Sequence, residues 1–246
     1  ENECEVETPL PVTGAVMPLT INGQTKAAWR SHRVRPGDRL ALGHTKKGCR
    51  CYLAVARGFA ANKFFGSTST VLREELGRAL RAGDILGCDS SEDEGDLALP
   101  MTEIPSYRDE VCLRVIPGYH HNLFRDGARN VFFGSEYRVT HQCDRMGYRL
   151  EGPSVESTRP TLLSEGISLG AIQIPADGQP IVLLNDHQTI GGYPKIGSVL
   201  SCDLAQLAQC NPGARVRFES IPVGDAQEIL RKVKARMESI QLKVSE

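Results

Sequence analysis

The sequence predicts a mainly β chain arranged as barrels or sandwiches. Three observations carry this. Short runs rich in Val, Ile, Leu and aromatics recur along the 246 residues, with Gly, Pro, Asn and Asp between them. A turn-like element is repeated at 35–40 (RPGDRL), 81–86 (RAGDIL) and 211–216 (NPGARV). Only the C-terminus carries a long helical stripe. Regularly spaced strands separated by turn signals are the pattern of closed or stacked sheets.

In chain order the strand candidates are 15–21, 50–56, 111–116, 130–133, 137–141, 171–174, 181–184 and 215–220, each apolar and bounded by turn residues. In the repeated element, glycine supplies the positive φ that such a turn can require, so the repeat hints at duplicated strand entries. Short helices are expected over 70–80 and 203–209. At the C-terminus Ala226, Ile229, Leu230, Val233, Met237 and Ile240 fall on one stripe, and Asp225 with Glu228 resembles a capping box. The acidic run DSSEDEGD at 89–96, with Pro100 and Pro105, reads as a solvated connector. It places a domain boundary near residue 105, dividing 1–105 from 106–246.

Composition narrows the function. The chain is 40% hydrophobic and 24% charged with net charge −1, which gives no broad pull toward nucleic acid or an anionic membrane. No apolar run approaches the roughly 20 residues of a membrane span. The first residues, ENECEVETP, are acidic and do not read as a secretory signal. Eight cysteines (Cys4, Cys49, Cys51, Cys88, Cys112, Cys143, Cys202 and Cys210) are dispersed, and read as buried free thiols of a reducing, cytoplasmic protein. Cys49 and Cys51 would share one face of a strand, but no second pair lies at finger-like spacing, so no metal site is expected.

Three polar segments could do chemistry. In FFGSTSTVLREEL (64–76), Ser67 and Thr68 lie before a possible helix, where backbone amides and hydroxyls hold an anion or simply cap the helix. There is no Walker-type phosphate loop. In THQCDRMGYRLEGP (140–153), Arg145 and Arg149 flank Tyr148. Arginine forks suit a carboxylate or phosphate, and Asp144 could orient one of them, or make a purely structural pair. The third segment is LLNDHQTIGGYPKIG (183–197). Asp186 and His187 can act as acid or base, Gln188, Thr189 and Tyr193 can bind a polar substrate, and Gly191 and Gly192 let backbone approach it. Lys195 supplies a point charge. Glu165 and Gln173 lie in a neighbouring glycine-spaced stretch. A tight crossing of strands is the competing account of these glycines. The other histidines, including His120 and His121, show no partnering motif.

These segments carry a resemblance. RGFAANKFFGSTST, CDRMGYRLEGP and the run from SEGISLGAIQIP through QTIGGYPKIG to NPGARVRF, spanning about residues 10–221, resemble the allophanate-hydrolase-subunit-2 family, also called the biotin-dependent carboxyltransferase family. The resemblance implies two cyclophilin-like β-barrel subdomains with a few short helices and a C-terminal helix. It implies an ATP-dependent 5-oxoprolinase subunit, opening 5-oxo-L-proline to L-glutamate with a PxpB/KipI-like companion and a PxpA-like (LamB/YcsF family) protein. Two alternatives come with it: the carboxyltransferase part of a urea carboxylase, with biotin as cofactor, and a non-catalytic KipA-like regulatory binding protein. Family members also carry an N-terminal segment with a TTVQDLGR-like stretch. This chain starts after it, which implies an incomplete first barrel with an exposed sheet edge. The site implied is a cleft between the two barrels for a small anionic substrate, in which Asp186, His187 and Lys195 act. Ser67, Thr68, Arg145, Tyr148, Arg149, Gln173, Gln188, Thr189, Gly191, Gly192 and Tyr193 would bind.

Overall fold

In the computed structural model, residues 6–89 and 96–244 are described. The chain divides into two compact units. One runs to Lys46, resumes from Arg50 to Pro105 and takes back the chain from Gln241; the other comprises Lys47–Cys49 and Ser106–Ile240. Most of the expected connector, 90–95, lies outside the described residues, as does Cys4.

In the first unit, strands β1 (Thr8–Val16), β2 (Leu19–Ile21), β3 (Gln24–Lys26), β4 (Ser31–Val34), β5 (Leu40–Leu42) and β6 (Lys47–Leu53, its start shared with the second unit) form two three-stranded sheets, β4-β1-β6 and β3-β2-β5. Strand β7 (Leu97–Ala98) pairs with Lys243–Val244. The single strand expected over 15–21 is two, because Pro18 interrupts the ladder between them. Asn22 (φ 52°) and Gly23 (φ 77°) then join β2 to β3 through the left-handed pair that a tight hairpin requires. No helix spans 70–80. One 3-10 turn, Leu72–Glu74, ends at Glu75 in the left-handed region, and Val71 bridges Leu76 instead.

The second unit is built on a closed seven-stranded barrel. Its strands are β8 (Glu110–Pro117), β9 (Tyr137–Cys143), β10 (Gly147–Glu151), β12 (Ala171–Gln173), β13 (Ile181–Leu183), β15 (Lys195–Val199) and β16 (Arg215–Ser220), and a two-stranded ribbon of β11 (Glu165–Gly166) and β14 (Ile190–Gly191) stands apart. All barrel pairs are antiparallel except β8 with β16, which run parallel. Alternation fills the barrel: Val111, Leu113 and Val115 from β8, Tyr137 and Val139 from β9, Val216 and Phe218 from β16 all point inward and are buried. Each such side chain contributes about 1.5–3 kcal/mol of apolar transfer.

Helix α1 (Asp126–Gly134) replaces the strand expected at 130–133. It delivers Phe132 onto Phe218, stacked at 4.4 Å, inside the barrel core. Three apolar residues in a row, Val131 to Phe133, do not discriminate a strand from a buried helix face. Helix α2 (Ser201–Leu207) is tied to β8 by Asp203, whose carboxylate accepts from the Arg114 backbone N–H and guanidinium. Helix α3 (Val223–Ser239) begins two residues before the expected start, after Pro222. No capping box forms: Asp225 lies in the first turn and Glu228 pairs with Lys232 at 2.6 Å. Only the first half of its stripe is covered, with Ala226 buried against Leu200 and Ile221, and Met237 exposed.

The repeated element is one turn used three times. Gly37, Gly83 and Gly213 have φ of 82°, 87° and 90°, and in each case the residue after glycine donates its N–H to the carbonyl three residues back. In the first two copies an Asp after the glycine also accepts the N–H of the turn's first residue; Ala214 stands there in the third. The seven described cysteines are free thiols, but only Cys210 is buried, so the expectation of a buried set is corrected.

A candidate cleft on the outer face of the barrel

Register decides which predicted residues can meet a ligand. Tyr148, Val182 and Ile172 stand side by side across β10, β13 and β12 and point into the barrel. Their chain neighbours Arg149, Ile181 and Gln173 form the adjacent row and point the other way. A register shift between β12 and β15 brings Lys195 opposite Gln173, while Ile196 stays in the core. On this outer face lies a cleft of about 490 Å³, lined among others by Gly147, Arg149, Gln173, Leu183, Gln188 and Tyr193.

Gln173 is 1% exposed, and its amide nitrogen has no hydrogen-bond partner among the described residues. An unsatisfied buried donor costs about 1–3 kcal/mol, so an unpaired amide in the wall of a cleft calls for an acceptor. Gly191 lies over it. A Cβ there would sit 2.5 Å from Ile167 Cδ1 and 2.9 Å from Gln173 Nε2. A Cβ on Gly192 would sit 2.6 Å from the Leu162 carbonyl oxygen. Both glycines are therefore required for close approach rather than for an unusual φ. The polar loop is stitched to a second segment by Leu162 N–H to Gly192 C=O (2.7 Å) and Ile167 N–H to Thr189 C=O (3.0 Å).

The arginines are held. Arg145 donates Nε to Asp186 Oδ2 at 2.9 Å and Nη2 to Oδ1 at 3.0 Å, so the loops at 144–147 and 184–187 form one clamped edge. Asp186 is thus engaged rather than a free base. Arg149 pairs with Asp177, and Asp144 orients neither arginine: its carboxylate accepts the Met146 and Gly147 N–H groups. His187 Nδ1 lies 2.7 Å from the Gln188 carbonyl oxygen, so that nitrogen carries the proton.

Lys195 is not a free point charge. Its side chain is 9% exposed, and the ammonium pairs with Glu165, donates to the Gly166 carbonyl at 3.2 Å and sits 5.4 Å over the Tyr119 ring. His120 Nε2 is 3.4 Å from the same Glu165 carboxylate, while its Nδ1 accepts the Lys195 backbone N–H at 3.4 Å. Hydrogen bonds from Lys195 and then Tyr119 hold Glu165 below the ordinary carboxylate range, and burial lowers His120 against the opposing pull of Glu165. His120 and Tyr119 escaped the sequence reading because only the β8–β15 pairing, Gly197 beside Pro117, brings them to Lys195.

Two expectations fail on geometry. Tyr148 is 1% exposed, and its hydroxyl donates to the Ala208 and Cys210 carbonyls, so it is core rather than ligand-binding. Ser67 and Thr68 are exposed in the first unit. Ser67 makes a local bridge to Phe64 and its hydroxyl accepts the Ser69 N–H, with no helix following to aim amides at an anion.

Known proteins share this fold. A crystal structure of Kluyveromyces lactis urea carboxylase superposes with a TM-score of 0.86 at 26% identity, covering 96% of this chain and 23% of that one. The fold is that of a carboxyltransferase-type β protein. Residues 1–220 match the carboxyltransferase domain, subdomain A and B, and the chain belongs to that family. Among curated relatives, a Haemophilus influenzae protein named as a 5-oxoprolinase subunit is 32% identical over 244 residues, 96% of this chain and 76% of that protein. The Escherichia coli protein of the same name is 33% identical over 231 residues, 91% of this chain and 73% of that one.

Proposed function

We propose that the chain is a subunit of a 5-oxoprolinase, which opens the lactam of 5-oxo-L-proline to L-glutamate, and that the cleft at Gln173 holds the substrate. Similarity along nearly the whole chain to two proteins named as 5-oxoprolinase subunits supports the activity and the need for further subunits. The single observation that carries the site is the partnerless, buried amide of Gln173, a residue of the cleft wall. 5-Oxoproline has a lactam carbonyl and a carboxylate about one ring apart. Gln173 donates to one; Arg149, whose fork has N–H groups beyond the one given to Asp177, takes the other. Gln188 and Tyr193 close the side of the cleft. In an assembly with a PxpB/KipI-like and a PxpA-like protein, ATP would supply the phosphoryl group that activates the lactam oxygen and water would open the ring; the clamped Arg145–Asp186 edge positions the loop rather than performing the chemistry.

The test is reconstitution. The chain with its companion proteins and ATP should release glutamate from 5-oxoproline, and Gln173→Leu should lower that turnover at least tenfold. Turnover unchanged in this variant would remove the cleft; no glutamate release with the full set would remove the activity. The urea carboxylase likeness favours a second reading, carboxyl transfer from carboxylated biotin. It predicts decarboxylation of carboxybiotin by the chain with a biotinylated carrier, independent of the other two proteins.

A further inference from the structure

Among the described residues, polar contacts between the ribbon β11–β14 and the barrel gather at the Glu165–Lys195 pair. Glu165 stands opposite Gly191 in the ribbon, and Lys195 stands opposite Gln173 in the barrel wall. The Lys195 ammonium reaches across to the Glu165 carboxylate and the Gly166 carbonyl. From the turn after β8, His120 and the Tyr119 hydroxyl approach the same carboxylate. Beside this clasp Gly191 rests on the Gln173 amide without a Cβ to hold it off. The Gln188–Tyr193 stretch that borders the cleft is the ribbon's own chain.

We infer that Glu165 is a positioning residue: from the ribbon its carboxylate grips Lys195 and His120 of the barrel and so holds Gln188, Gly191 and Tyr193 over Gln173. This rests on the cleft being the substrate site. Lys195 accordingly serves the site through Glu165 and touches no substrate. A buried ammonium left without its carboxylate is destabilising in itself, so two variants are needed: Glu165→Gln, and the double variant Glu165→Gln/Lys195→Met, which leaves no stranded charge.

Amide hydrogen exchange separates the outcomes. The Leu162 and Ile167 amides should exchange at least tenfold faster in the double variant, with Leu150 and Ile174 in the barrel unchanged, and Glu165→Asp should recover part of the protection. In the reconstituted enzyme, KM for 5-oxoproline should rise about tenfold with a smaller fall in kcat. Ribbon amides that keep wild-type protection overturn the inference. So does loss of protection in ribbon and barrel together in both variants, which would assign the pair to barrel stability. If the wild-type assembly has no 5-oxoprolinase activity, the proposed function fails while the exchange result still decides the clasp.

Discussion

Gln173 sets a conflict between stability and use. Its amide forgoes a hydrogen bond in the absence of ligand, at about 1–3 kcal/mol. Gln173→Leu should therefore leave Tm unchanged or raise it by a few degrees, about 2–4 °C per kcal/mol for a domain of this size, while turnover falls. A thermal melt and a glutamate assay on the same preparation check both halves. Gly191→Ala should lower both: its Cβ, 2.5 Å from Ile167 Cδ1, pushes the ribbon off, so Tm falls by several degrees and 5-oxoproline binding weakens. At this scale the sequence offers the residue types of a candidate site but not the face each of them takes. Arg149 and Tyr148 are neighbours in one distinctive block, yet strand parity sends one to the cleft and the other into the core. Asp177 and His120, which hold Arg149 and the Lys195–Glu165 pair, announce themselves only once the barrel is closed.

Among elements, the ribbon carries a pH dependence whose sign follows from its two titrating groups. Glu165 and His120 both have pKa values lowered in the folded protein, from ordinary values of 4.5 and 6.5. Each therefore stabilises the folded state fully above its ordinary value and loses that contribution as pH falls through its folded value. Around His120 the facing groups are Glu165 on β11, Lys195 on β15 and the Tyr119 ring at 4.2 Å. Ribbon protection should be steady above about pH 7 and decline as acid is added, first with His120 and then with Glu165. His120→Gln should remove the upper part of that decline, as read by exchange rates across pH. A second element-level prediction concerns α2: Asp203→Leu strands the part-buried Arg114 and should cost about 3 kcal/mol in chemical denaturation. The strands at 111–116, 137–141, 171–174, 181–184 and 215–220 were legible because alternation or apolar runs met turn residues at both ends. Helix α1 was not, because its short apolar run mimics a strand, and 70–80 was overread because Ser and Thr before charged residues imitate a helix start.

For the molecule as a whole, the mainly β class and the family were available from sequence, since turn glycines and the DRMGYRL and QTIGGYPKIG blocks need no long-range information. Closure was not. Only the three-dimensional structure shows that seven strands join into a ring and that the first and last of them, β8 and β16, lie parallel. That pairing has a kinetic consequence. Glu110 and Arg215 are 105 residues apart, so the ring cannot close until nearly all of the unit has been synthesised. Contacts of such separation must meet the entropy of loop closure before they return any stabilisation, which makes the barrel a slow, late-folding body. Nascent chains stalled before Phe218 should remain open to proteolysis, whereas chains released just after Ser220 should become resistant in a single step.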